Sequence, residues 1–314
     1  MFEKKHIISM RDFSREEVRY ILNCAEKIEP LARTGTSILH NKLLALLFFE
    51  PSTRTQLSFD TAMKRLGGKT LSLSSEGSSM LKGETLADTV KVIEGYADAI
   101  VLRHPKEGAA RMASELSTIP VLNGGDGAGH HPTQTLLDLY TMQKESRLQD
   151  LDIALLGDLK YGRTVHSLAY ALKMFNANIS LVAPEELQMP KYIVDDLGGV
   201  TITDDIDEVI KDIDVLYVTR IQKERFPDPN EYLRVASSYR ISNDTLAGVR
   251  NNFIIMHPLP RSDEIAPEID NTKYAKYFKQ SFYGVPVRMA LLMLVMQERF
   301  DVRKTKRRTQ SSFN

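Results

Sequence analysis

Side chains able to do chemistry gather in a few short segments of this 314-residue chain. The first is FFEPSTRT, Phe48 to Thr55, where an apolar run ends at Glu50 and a helix start follows. Ser52 stands at the N-cap position, with Thr53, Arg54 and Thr55 in the first turn. Free backbone N–H groups at a helix start bind phosphate, and the helix dipole adds to the attraction. The hydroxyls and the guanidinium of that turn supply further donors. A plain capped helix is the competing explanation. It suits Arg54 badly, because a cation at the positive end of a helix is unfavourable unless an anion joins it.

Similar segments follow. Arg103-His104-Pro105 comes directly after the apolar run Ala99–Leu102. His131 precedes Pro132 at a second helix start, with Gln134 in the first turn. A histidine at a helix N-terminus tends to stay neutral and can then donate to a carbonyl oxygen. A capping or core histidine explains His131 equally well. GDLKYGRT, Gly157 to Thr164, is another strand–loop–helix stretch; it lacks the GxGxxG spacing of a dinucleotide site, and it puts Arg163 at a helix start. Arg220 and Gln222 follow the run VLYV. In MHPLPR, Met256 to Arg261, two prolines flank Leu259. They make either a stiff loop or a rigid turn, open to a cis bond, that aims backbone carbonyls at an amide N–H. Lys82 lies in the Ser- and Gly-rich stretch Ser74 to Thr85, which by itself reads as a flexible surface loop and otherwise as one that closes over a ligand.

Arginine, lysine, histidine, glutamine and hydroxyls together bind anions and stabilise developing negative charge. HExxH, CxxC and carboxylate clusters at metal spacing are missing, and the single cysteine, Cys24, sits in an early helical stretch. No metal and no organic cofactor is expected, nor hydride transfer or a covalent intermediate.

The elements that must carry these segments alternate. Strand-type runs at Leu43–Phe49, Ala99–Leu102, Ile119–Leu122, Ile153–Leu156, Ile179–Val182, Val200–Ile202, Val215–Val218 and Phe253–Met256 are separated by helical patterns. NGGDGAG, from Asn123, reads as a glycine-rich loop. Such alternation predicts an α/β protein with two doubly wound parallel-sheet domains. The boundary is expected near Gln149–Leu151, giving domains 1–149 and 150–284. An apolar helix from Pro286 to about Phe300 packs back on the first domain, and 301–314 forms a basic, solvated tail. In open α/β sheets ligands bind beyond the carboxyl ends of the strands, which is where the polar segments fall.

Composition narrows the function further. With 41 Lys+Arg against 41 Asp+Glu the formal charge is zero, which argues against a protein held to nucleic acid or anionic membrane by a global field. One cysteine allows no intrachain disulfide. No apolar run approaches the ~20 residues of a membrane span, and the N-terminus has no secretory pattern, so a cytoplasmic location is expected.

Taken in order, PSTRT, the Ser-rich loop ending in LKGET, RHP, HPTQ, LKYGRT, TRIQKER and HPLPR resemble the aspartate carbamoyltransferase catalytic chains of the aspartate/ornithine transcarbamoylase family, over nearly the whole sequence. That family joins carbamoyl phosphate and L-aspartate into N-carbamoyl-L-aspartate and phosphate in pyrimidine synthesis. The resemblance implies a carbamoyl phosphate domain followed by an aspartate domain. Ser52, Thr53, Arg54 and Thr55 would hold the phosphate. Thr55, Arg103 and His131 would contact the carbonyl oxygen, and Gln134 with the backbone carbonyls of Leu259 and Pro260 would receive the amino group. Arg163, Arg220 and Gln222 would hold aspartate, together with Lys82. Lys82 and Ser78, chosen over Ser79 on spacing, would arrive from a neighbouring subunit of a homotrimer with shared sites; two trimers can be joined by regulatory chains. Glu50 would pair with Arg163 and Arg225 to hold a closed form. Pro286 departs from the usual pattern before Arg288, which leaves Arg288 without an assigned role. An ornithine-type enzyme would want acidic partners for a cationic substrate, a cysteine in the HPLP-like turn and an SMG element; here Pro258 fills the turn, no SMG motif occurs and Arg220 offers a cation. A non-catalytic paralogue would lose site residues first.

Overall fold

The computed structural model describes residues 5–74, 83–127, 129–221, 235 and 239–296. The expectations for Ser78, Ser79, Lys82, Gln222, Arg225, Phe300 and 301–314 lie outside these described residues. Within them the chain forms two compact units, one of residues 5–9, 16–133 and 284–296, the other of 10–15 and 134–283.

In the first unit the strands are β1 (Leu43–Phe48), β2 (Lys69–Ser74), β3 (Ala99–His104) and β4 (Val121–Asp126). All pairings are parallel, in the order β2-β1-β3-β4. The apolar runs of β1 and β3 are buried almost end to end, as central parallel strands covered on both faces must be. The helices are α1 (Arg15–Ile28), α2 (Leu31–Thr34), α3 (Thr53–Arg65), α4 (Leu86–Ile93) and α5 (Ala109–Leu116). The second unit holds β5 (Asp152–Leu156), β6 (Asn178–Val182), β7 (Thr201–Thr203), β8 (Val215–Val218) and β9 (Ile254–Met256), parallel throughout in the order β7-β6-β5-β8-β9. Its helices include α7 (Arg163–Lys173) and α8 (Lys191–Leu197). Two helices, α6 (Pro132–Glu145) and α9 (Tyr277–Val295), carry the chain from one unit to the other. Two doubly wound α/β sheets are therefore present, and the second half of α9 joins the first unit, as the C-terminal helix was expected to do.

Four local readings change. Lys69–Ser74 was not expected as a strand; KTLSLS is half polar because β2 is an edge, half-buried at Thr70, Leu71 and Leu73 and exposed elsewhere. α4 was missed too, although Thr85 and Asp88 form a capping box at its start. The glycine-rich stretch after Leu122 is not wholly loop, because β4 runs through Asn123, Gly124, Gly125 and Asp126. A Cβ at Gly124 would lie 3.3 Å from Val101 Cγ1 and 3.6 Å from Arg103 Cβ, so glycine lets this strand pass close beside β3. Finally, α9 begins at Tyr277 and passes through Pro286. An interior proline costs about 3 kcal/mol. Burial of Val287, Met289, Ala290, Leu291 and Leu292 offsets it.

Candidate active site

Strand order places the candidate residues. In the first sheet β1 lies between β2 and β3, so the winding reverses between β1 and β3 and a crevice opens beyond their carboxyl ends. The chain there supplies Glu50, the Ser52–Thr55 turn and the last two residues of β3, Arg103 and His104, which end the strand rather than follow it. Ser52 occupies the N-cap of α3 with extended φ, but its side chain makes no capping bond. Thr53 and Arg54 are exposed, and among the described residues no carboxylate pairs with Arg54. Partial desolvation holds the Arg54 guanidinium below its ordinary pKa. A cation and several donors at a helix start without a counterion make a binding place for an anion.

Behind this turn the groups converge. Thr55 and His131 are both buried, with Thr55 Oγ1 3.4 Å from His131 Nε2. Arg103 donates through Nη1 to Gly124 O at 3.0 Å and lies 3.1 Å from Glu50 Oε2 through Nη2. The path to His131 is set by two buried side chains that sequence reading passed over. Asn123 Nδ2 donates to Asp126 Oδ1 and to Ile8 O, both at 3.0 Å. Asp126 in turn accepts the His130 N–H at 2.9 Å and the Gly108 N–H at 3.0 Å. Their signal was visible as two polar residues at the end of a buried strand. Arg288 is buried as well: its guanidinium lies 5.0 Å over the Phe59 ring of α3, and Nη2 reaches Thr133 Oγ1 at 3.4 Å. It therefore links the middle of α3 to the start of α6.

His104 Nδ1 accepts the Lys106 N–H at 3.0 Å, and burial lowers the imidazole pKa, so the ring is neutral with its proton on Nε2. A cavity of about 710 Å³ opens beside it, walled by Phe49, Leu86, Pro105, Ala109 and Met112 among others. That lining is mostly apolar and does not suit a phosphate, so the cavity and the anion turn are different features.

In the second sheet the winding reverses between β5 and β8. The turns leaving them touch: Gly157, at φ +125°, has no room for a side chain, since a Cβ would meet Thr219 O at 2.3 Å. Arg163 opens α7 after Gly162, and Arg220 stands two residues beyond β8. Gln134 lies in the first turn of α6 and donates through Nε2 to Asp138 Oδ1 at 2.9 Å. Beyond β9 the Leu259–Pro260 bond is cis, one of the two forms left open. His257 organises this turn: its N–H donates to Gln280 Oε1 at 2.9 Å, and its Nδ1 accepts the Leu259 N–H at 2.8 Å. Because Nδ1 accepts, the ring proton is on Nε2 and goes to Glu264 Oε1, 2.7 Å away. Burial pushes the Glu264 carboxyl up, but the bonds from His257 and from backbone N–H groups outweigh it and hold the group below its ordinary pKa. Arg261 is taken up by Asp270 and the Tyr277 hydroxyl, and the bond with Asp270 raises its pKa.

Among the described residues no group of His, Cys, Asp and Glu could hold a metal ion, and no helix is long and apolar enough to cross a membrane. What the strand ends present is donors for anions in both units, one buried imidazole beside a hydroxyl, and backbone carbonyls in a stiff turn.

Residues 5–144 match the carbamoyl-P binding domain of aspartate/ornithine carbamoyltransferase, and residues 149–295 match its Asp/Orn binding domain, so the chain belongs to this family. Within the family the likeness runs to its aspartate branch. The aspartate carbamoyltransferase catalytic subunit of Methanocella arvoryzae is 63% identical over 302 residues, covering 94% of this chain and 98% of the relative. The solved catalytic subunit of M. jannaschii aspartate transcarbamoylase is 55% identical with a TM-score of 0.87, covering 94% of this chain and 99% of that one. Aspartate transcarbamoylase from Trypanosoma cruzi, solved with carbamoyl phosphate and aspartate, is 40% identical with a TM-score of 0.87, covering 93% of this chain and 96% of that one.

Proposed function

We propose that this chain transfers the carbamoyl group of carbamoyl phosphate to the α-amine of L-aspartate, giving N-carbamoyl-L-aspartate and phosphate. The observation that carries the reading is the approach of His131 to Thr55 at the uncapped start of α3, with Arg103 ending the neighbouring strand β3. Ser52, Thr53, Arg54 and Thr55 hold the phosphate group. Thr55, Arg103 and His131 donate to the carbonyl oxygen. Gln134 and the Leu259 and Pro260 carbonyls accept from the amino group. Arg163 and Gln222 grip aspartate, with Arg220 on its side-chain carboxylate.

The neutral amine of aspartate attacks the carbonyl carbon, a C–N bond forms, and the carbonyl electrons move onto oxygen. The donors on that oxygen stabilise the charge, and losing one such donor typically costs roughly 100- to 1,000-fold in rate. When the oxyanion collapses, the C–O bond to phosphate breaks, and the departing phosphate carries off the amine proton. Much of the remaining acceleration comes from holding two mutually repelling anions within reach of each other. Arg54, Arg103, Lys82, Arg163 and Arg220 cancel their charge.

The finer assignments rest on the motifs. Residues 1–149 with 285–300 serve carbamoyl phosphate and 150–284 serve aspartate. The catalytic unit is a homotrimer in which Lys82 and Ser78 reach a neighbour's site. Glu50, 3.1 Å from Arg103 here, exchanges that partner for Arg163 and Arg225 on closure. The setting is cytoplasmic pyrimidine synthesis. Incubating purified protein with both substrates tests the activity: carbamoyl aspartate should accumulate, and binding without product would refute it. Mixing a Lys82→Ala chain with an Arg54→Ala chain should restore part of the activity through hybrid sites; no rescue in verified mixed oligomers would refute site sharing.

A further inference from the structure

We infer that Asp138 is a positioning residue that makes this site select an amino group on its acyl donor, by turning the Gln134 amide so that its oxygen faces the substrate. The inference rests on the proposed carbamoyl transfer and deepens it. Every residue it uses belongs to the second unit.

Asp138 lies one helical turn beyond Gln134 on α6 and is fully buried, at 0% exposure. Three donors are aimed at its carboxylate. Gln134 Nε2 and Gln280 Nε2 reach Oδ1 at 2.9 and 2.7 Å, and the Tyr217 hydroxyl reaches Oδ2 at 2.8 Å. A carboxylate so surrounded accepts only. Tyr217 is itself buried, and burial, then Asp138, pushes its pKa well above the ordinary value, so it stays a phenol.

Gln134 Nε2 therefore faces a buried carboxylate 2.9 Å away, and the planar amide leaves Oε1 on the opposite side. Chemistry forbids the reverse orientation. It would set the amide oxygen against a carboxylate in a dry site, leaving two acceptors facing each other with no hydrogen between them. The same Asp138 Oδ1 holds Gln280, whose Oε1 accepts the His257 N–H, and His257 Nδ1 accepts the Leu259 N–H. One buried carboxylate thus anchors the amide oxygen of Gln134 and the turn that carries the Leu259 and Pro260 carbonyls. Surfaces made only of acceptors match an NH2 group and are left unpaired by a methyl group. Sites of this kind reject the analogue that lacks the donor.

The test compares carbamoyl phosphate with acetyl phosphate, which replaces the amino group by methyl and keeps the phosphate. In Asp138→Asn the new Nδ2 can face Gln134 and turn its amide. The ratio of acetyl phosphate Ki to carbamoyl phosphate KM is expected to fall about tenfold or more, with aspartate KM and inorganic phosphate binding within about threefold. In a Gln134→Ala background Asp138→Asn should leave the ratio unchanged, because its route of action is gone. Should Asp138→Asn not fold, Tyr217→Phe keeps the ring and removes the hydroxyl that donates to Asp138 Oδ2, and a fall of about threefold is expected. An unmoved ratio in a folded variant, or full additivity with Gln134→Ala, overturns the inference alone. A wild-type chain that makes no carbamoyl aspartate overturns the proposed function and this inference with it.

Discussion

At the end of β1, Ser52, Thr53 and Arg54 stand on a helix start with no side-chain partner among the described residues. At the start of α6, by contrast, Gln134 is the first member of a buried series that runs through Asp138, Gln280 and His257 to Leu259. The two regions solve different problems. A phosphate group carries its own charge and satisfies many donors, so a backbone-built cradle can wait for it. An amide must show one particular face, and only a fully connected polar network fixes that face in a dry interior.

The largest break expected is at the waiting cradle. Arg54→Ala should leave the fold intact and lower turnover roughly 100- to 1,000-fold; near-normal steady-state rates would contradict its phosphate role. Arg220→Ala should act on the other reactant. It is expected to raise aspartate KM on the order of 100-fold, the loss of a charge-assisted bidentate contact, with carbamoyl phosphate binding little changed. An unaltered aspartate dependence would contradict the assignment.

The comparison extends to stability. At the amino end of β8 the buried Asp214 accepts from Arg147 at 2.6 Å, Asn252 at 2.6 Å and Arg250 at 3.2 Å. Asp214→Ala strands these donors and should cost about 3 kcal/mol, near the lower bound for a buried pair because both arginines are partly exposed. Thermal unfolding measures it, and an unchanged Tm would contradict the structural role. Acidification should act in the same direction. Burial pushes the Asp214 carboxyl up, but bonds from Asn252, the Asp152 N–H, Arg147 and Arg250 together hold it below its ordinary value. Glu145, Asp152, Glu264 and Asp270 in the same unit are lowered as well, against Asp60 and Glu94 in the first unit. Groups lowered on folding contribute stability above their unfolded pKa and lose it as pH falls through the folded value. Hydrogen exchange from about pH 5 to pH 3 should therefore show the second unit loosening before the first; the opposite order would contradict this accounting.

Legibility from sequence divides along the same line. The uncapped helix start of α3 was readable because a buried apolar run followed by Ser-Thr-Arg-Thr is a local pattern, and strand order then placed it at a switch point. Both sheets were readable from alternation, apart from β2, whose edge position gives it a half-polar sequence. Reading NGGD as loop failed because glycine usually breaks a strand, whereas here it allows close passage beside β3 and Arg103. Asp138, Gln280 and Tyr217 gave no local signal at all. They are 79 and 142 residues from one another through Asp138, and only the fold brings their polar atoms together.

A crystal structure of this chain with N-(phosphonacetyl)-L-aspartate, the ligand carried by the T. cruzi relative, addresses the central claim most directly. The phosphonate should sit on the Ser52–Thr55 turn, its carbonyl oxygen within reach of Thr55, Arg103 and His131, and its aspartyl carboxylates on Arg163 and Arg220. A ligand bound elsewhere, with the Ser52–Thr55 turn empty, would contradict the account.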